Sequence, residues 1–126
     1  KIAHSKTGKH ATVIGLIGDL GSGKTTFIQG FLKTLGVRQR VFSPTFLIFR
    51  PYALKTGSFR KAYHVDLYRL RRFHDLKPLG FQEILADPKN LVMIEWAEKI
   101  RRYLPKTTFW LHFKHGRNLN ERLISF

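Results

Sequence analysis

The eight residues Gly18 to Thr25 read GDLGSGKT, and no other stretch restricts the fold of this chain as strongly. The pattern GxxxxGK[ST] works as a turn between a strand and a helix. Its glycines let backbone N–H groups converge on phosphate oxygens, and the helix N-terminus behind it adds the positive end of the peptide dipoles. Both flanks meet that demand. Ala11 to Ile17, ATVIGLI, is β-branched and apolar on both faces, as expected of a strand buried inside a parallel sheet. From Thr26 to Leu35, the residues Phe27, Ile28, Phe31, Leu32 and Leu35 fall on one helical face, and Gly36 follows as a C-terminal cap.

The remainder reads as strands and short helices. Phe46 to Tyr52 and Arg60 to Leu67 are two strand candidates separated by a turn at Gly57, an arrangement that permits a hairpin. The basic stretch Arg69 to Lys77 leads into a helical segment from Leu79 to Leu85, which ends before Asp87-Pro88 because proline disfavours helix in the residue before it. Leu91 to Glu95, LVMIE, is a second buried strand terminating in a carboxylate. Ala97 to Tyr103 fits a short helix before Pro105, Thr108 to Phe113 alternates as a strand, and Arg122 to Phe126 reads as a closing strand. The expected fold class is α/β: a single-domain P-loop NTPase with a central, mainly parallel sheet, antiparallel strands added, and helices on both faces. One domain is expected over 1–126, with KIAHSKTGKH at 1–10 as a frayed or truncated start, because it has few apolar positions with which to dock.

Composition narrows the classes. The chain is 43% hydrophobic with eleven Phe, enough for a packed core. Zero cysteines exclude disulfides and thiolate metal sites. No apolar run approaches the roughly 18–20 residues of a membrane span and no signal-peptide pattern opens the chain, so a cytoplasmic location without membrane contact is expected. The 23 Lys and Arg against 8 Asp and Glu give a net charge of +15, a field that attracts polyanions.

Within the loop, Leu20, Gly21, Ser22, Gly23, Lys24, Thr25 and Thr26 are the candidate nucleotide-binding residues. Lys24 would reach the β and γ phosphates, and the Thr25 hydroxyl is an oxygen ligand of the kind Mg²⁺ prefers. A phosphate loop also needs a nearby carboxylate to orient the metal or the attacking water. Glu95 and Asp66 each end an apolar strand, so either side chain would emerge at a sheet edge beside the loop. The guanine-reading string NKxD does not occur, which favours ATP over GTP.

Taken in order, GDLGSGKTT, SPTF (Ser43 to Phe46), HVDLYRL (His64 to Leu70), the pair Leu79-Gly80, IEW (Ile94 to Trp96) and Leu104-Pro105 resemble the TsaE family, the bacterial ATPases of tRNA threonylcarbamoyladenosine synthesis. The resemblance runs from about Val13 to the final strand, and HxDLYR with IEW is far more specific than the phosphate loop alone. It implies an auxiliary ATPase that binds the proteins TsaD and TsaB and supports threonylcarbamoyl transfer to adenosine 37 of tRNA, with Mg²⁺ as cofactor and ATP as substrate. It implies catalytic roles for Lys24, Asp66 and Glu95, and metal ligation by Thr25 and Glu95. It also implies a switch-like loop at Ser43, Pro44 and Thr45 and places Trp96 beside the nucleotide; Tyr68 and Arg69 are further partner-facing candidates. Members carry a helix before the first strand, of which this sequence would hold at most the end. Two other readings compete: a basic nucleic-acid-binding module whose loop senses nucleotide, and a small-molecule kinase.

Overall fold

The computed structural model describes residues 9–19, 21–39, 41, 48–55, 57–116 and 122–125. Strand β1 (Thr12–Ile17) enters the phosphate loop and helix α1 (Lys24–Thr34) leaves it. Strands β2 (Phe49–Ala53) and β3 (Lys61–Asp66) follow, then a 3-10 segment, Phe73–Leu79, that turns through Gly80 into α2 (Phe81–Ala86). Strand β4 (Asn90–Glu95), a second 3-10 segment (Ala97–Tyr103), β5 (Phe109–His115) and β6 (Arg122–Ser125) complete the order.

The strands form one mixed sheet in the order β2-β3-β4-β1-β5-β6. The four central strands are parallel, and β2 and β6 add antiparallel at the edges. The expected hairpin is therefore β2 with β3. All six residues of β4 are buried, which explains why its sequence shows no polar alternation until Glu95.

Side chains alternate across a strand, and the register sorts them into two cores. Ile14 and Leu16 of β1, Ala62 of β3, Leu91 and Met93 of β4 and Leu111 and Phe113 of β5 share one face with Ile28 and Leu32 of α1. Val13, Val65, Val92 and Ile94 face the other side, against Phe73, Leu76, Phe81, Leu85 and Ile100 of the shorter helices. Helices thus cover both faces, as the sequence reading expects.

Helix α1 begins two residues earlier than its apolar periodicity indicates, because Lys24 and Thr25 already take helical backbone. It ends as expected. Gly36 sits at φ 94°, the Val37 N–H donates to the Leu32 carbonyl at 3.0 Å and the Gly36 N–H to that of Lys33 at 3.1 Å. This is a Schellman motif, closed by packing of Val37 and Leu32 in the same core.

Candidate nucleotide-binding site

Residues 62, 64 and 66, and 91, 93 and 95, all face α1, so the two strand-end carboxylates share the side on which the phosphate loop opens. The parallel pairing sets Leu16 beside Glu95 and Glu95 beside Asp66. Three adjacent strand ends therefore deliver the loop and both acids to one edge, the usual place for a ligand in an open α/β sheet.

The loop is built by conformation and by close approach. Gly21 and Gly23 lie at φ 74° and 103°, backbone that glycine adopts without strain. Gly18 is needed for space, since a Cβ there would stand 2.7 Å from both the Phe113 carbonyl oxygen and Ser22 Oγ. Ser22 is buried, its N–H donates to the Asp19 carbonyl at 3.1 Å, and its hydroxyl has no hydrogen-bond partner among the described residues. A buried hydroxyl at the loop's centre suits a phosphate oxygen.

Lys24 is 4% exposed. Its ammonium donates to the Gly18 carbonyl at 2.5 Å and lies 3.6 Å from the centre of the Trp96 ring. Burial pulls its pKa below the ordinary lysine value, opposed by the charges of Glu95, Glu98, Asp66 and Asp19. The Thr25 hydroxyl, one residue on, reaches across to β4 and contacts both Glu95 carboxylate oxygens, at 3.0 and 2.8 Å. Thr26 is exposed on the first turn.

Glu95 is 4% exposed, and its Oε2 also accepts from His64 Nε2 at 2.6 Å. His64 is fully buried. Sequence motifs alone assign this histidine no site role, although one signal is present: it is the polar residue two before Asp66 in a buried strand, hence on the same face.

Asp66 is half-buried, and its carboxylate accepts from the Tyr68 N–H at 3.0 Å. Desolvation raises its pKa above the ordinary aspartate value; Glu95 adds to the rise, while the Tyr68 hydrogen bond, His64 and Lys24 oppose it.

Trp96 takes φ 62°, ψ 35°, left-handed backbone that costs a bulky residue of order 1–3 kcal/mol. Its N–H donates to the Leu16 carbonyl at 3.1 Å, which ties the turn to the end of β1. Tyr68 is about half exposed, with its ring 5.3 Å from that of Trp96, which is partly buried against the core. Lys99 donates to the Tyr68 and Leu70 carbonyls, at 2.5 and 3.2 Å, and holds the segment after β3. Arg69 is exposed and makes no ion pair among the described residues. Leu20, Ser43, Pro44 and Thr45 lie outside the described residues.

Thr25 and Glu95 fit a divalent cation by donor type, a hydroxyl and a carboxylate within hydrogen-bond distance of each other. Among the described residues no group of three or more His, Asp or Glu forms a metal cage. Mg²⁺ takes one or two protein ligands and completes its shell with phosphate and water, so a hydroxyl and a carboxylate would be enough to hold it.

A family model described as "Threonylcarbamoyl adenosine biosynthesis protein TsaE" matches residues 1–124. The name "tRNA threonylcarbamoyladenosine biosynthesis protein TsaE" belongs to a relative from Bacillus subtilis (strain 168), 36% identical over 118 residues, covering 94% of this chain and 70% of that one. A Rickettsia felis relative of the same name is 42% identical over 93 residues, covering 73% of this chain and 52% of that one. A third, from Rickettsia bellii, is 38% identical, covering 89% and 75%. Among solved structures, a crystal structure of Bacillus subtilis YdiB matches with a TM-score of 0.69 at 32% identity, covering 93% of this chain and 68% of that one. Matched over nearly its whole length by the family model, and by relatives well above 30% identity, this chain belongs to the TsaE family of tRNA threonylcarbamoyladenosine biosynthesis proteins.

Proposed function

We propose that the chain binds Mg-ATP in the Gly18 to Thr25 loop and hydrolyses it slowly, as a subunit that supports threonylcarbamoyl transfer to tRNA by TsaD with TsaB. The observation that carries the reading is the convergence of Thr25 on Glu95 across 70 residues of sequence, with Lys24 buried beside them. Lys24 and the loop N–H groups would hold the β and γ phosphates, and Thr25 and Glu95 would hold Mg²⁺. When bound, the metal neutralises developing phosphate charge and fixes its geometry. Asp66, next to Glu95 in the register, would orient the attacking water. Its raised pKa also suits it to accept a proton.

The exposed turn carrying Tyr68 and Arg69 beside Trp96 is where we place contact with the partner proteins. The cytoplasm, where tRNA is modified, is the expected compartment. ATP hydrolysis measured with and without purified TsaD and TsaB, wild type against Glu95→Ala, tests the reading. Hydrolysis should rise with the partners and collapse in the variant; a rate indifferent to both would sink it.

One observation favours a second role. The charge of +15, with Arg69, Arg71 and Arg72 all exposed, suits direct contact with the tRNA backbone. Such contact predicts tRNA binding by the chain alone that is independent of ATP and weakens steeply with salt.

A further inference from the structure

We infer that His64 is a positioning residue for Glu95: it pins one carboxylate oxygen so that the other is left to meet Mg²⁺ beside Thr25. This rests on the Mg-ATP reading above and assigns a role to a residue which that reading does not use.

Donor and acceptor counts at Glu95 distinguish its two oxygens. Glu95 ends β4 with its side chain buried, where a carboxylate is stable only if its oxygens are satisfied. His64 Nε2 lies 2.6 Å from Oε2. The ionised carboxylate can only accept, so Nε2 carries the proton in this contact; the tautomer is assigned from that contact. Oε2 therefore takes His64 at 2.6 Å and the nearer branch of the single Thr25 O–H at 2.8 Å, whereas Oε1 is left with only the longer branch of that hydroxyl at 3.0 Å. The oxygen with spare capacity is Oε1.

The histidine is itself held rigidly. It is 0% exposed in the middle of β3, between Ala62 and Asp66 on the α1 face, and Met93 is its register partner on β4. Its Nδ1 has no hydrogen-bond partner among the described residues, so its one contact there is with Glu95. A polar ring kept in a buried strand for a single bond to a metal-binding carboxylate is the arrangement by which outer-shell groups orient ligands, and loss of such a partner typically costs about 10–100-fold in metal affinity.

The test compares two amides of different reach. In His64→Gln the side-chain nitrogen can reach the position of Nε2; in His64→Asn it falls near Nδ1 and cannot reach Glu95. Binding of a fluorescent ATP analogue is titrated with Mg²⁺ and repeated in excess chelator, with thermal melts of each protein. His64→Asn should need at least about tenfold more Mg²⁺ for half-maximal tight binding, with metal-free nucleotide affinity within about twofold of wild type. His64→Gln should recover most of the wild-type Mg²⁺ response. Equal Mg²⁺ dependence in the two variants, equal loss of metal-free binding, or failure of both to fold would show that His64 only packs, and would overturn the inference. A wild-type protein that binds no nucleotide under either condition would instead remove the Mg-ATP reading beneath it.

Discussion

At the residue scale the site is a set of buried charges, each held by one or two partners. Lys24 sits against a carbonyl and an aromatic face, an arrangement that holds a desolvated ammonium in place. Replacing it by Met removes charge-assisted hydrogen bonds worth about 1.5–3 kcal/mol, so ATP affinity in a binding titration should fall about ten- to a hundredfold. Asp66 works against the fold. Its folded pKa is raised above the ordinary 3.8, so the native state holds the proton more tightly than the unfolded chain does. The cost of burying the carboxylate is therefore absent below that ordinary value and grows as pH rises through the raised one. Asp66→Asn should melt higher than wild type at pH 7 and show no advantage near pH 3, while losing hydrolysis. Equal melting temperatures at pH 7 would contradict this.

At the element scale the close approach of β1 to its cover depends on Gly15. A Cβ there would lie 2.7 Å from two carbons of the Trp110 ring and 3.1 Å from the Ala97 Cβ. Ala97 is buried, and the Arg101 guanidinium stacks 4.1 Å from the Trp110 ring centre, so neither neighbour can retreat freely. Gly15→Ala should cost about 1–3 kcal/mol and lower the melting temperature by several degrees. Because Trp96 donates to Leu16 just beyond Gly15, the same change should also weaken nucleotide binding.

For the whole molecule, the sheet separates two cores that share no residues. Ile28→Val on the α1 face and Ile100→Val on the opposite face should each cost about 0.5–1.5 kcal/mol in urea unfolding. The double variant should show their sum within about 0.5 kcal/mol. A clear excess would mean that the cores are coupled through the sheet. The net charge acts at this scale too: association with an acidic partner or with tRNA should slow as salt shortens the Debye length from about 10 Å at 0.1 M to about 3 Å at 1 M. Stopped-flow association at several salt concentrations reads this directly.

Much of this was legible along the chain. The phosphate loop demanded a strand before it and a helix after it, because its backbone geometry exists only there, and LVMIE announced a strand buried on both faces because it lacks polar alternation. The acids at positions 66 and 95 were visible as strand ends for the same local reason. What local pattern could not carry was the neighbour relation. That β4 lies between β1 and β3, in register with both, bringing Thr25 to Glu95 and Glu95 to His64, depends on pairing between segments tens of residues apart. His64 stayed hidden because a buried polar side chain has meaning only through its partner, and the partner lies on another strand. The sequence determined that phosphates could be held at Gly18 to Thr25, since the loop's residues are contiguous. The tertiary structure alone decided which carboxylates stand beside that loop, because that choice is made by the order of strands in the sheet.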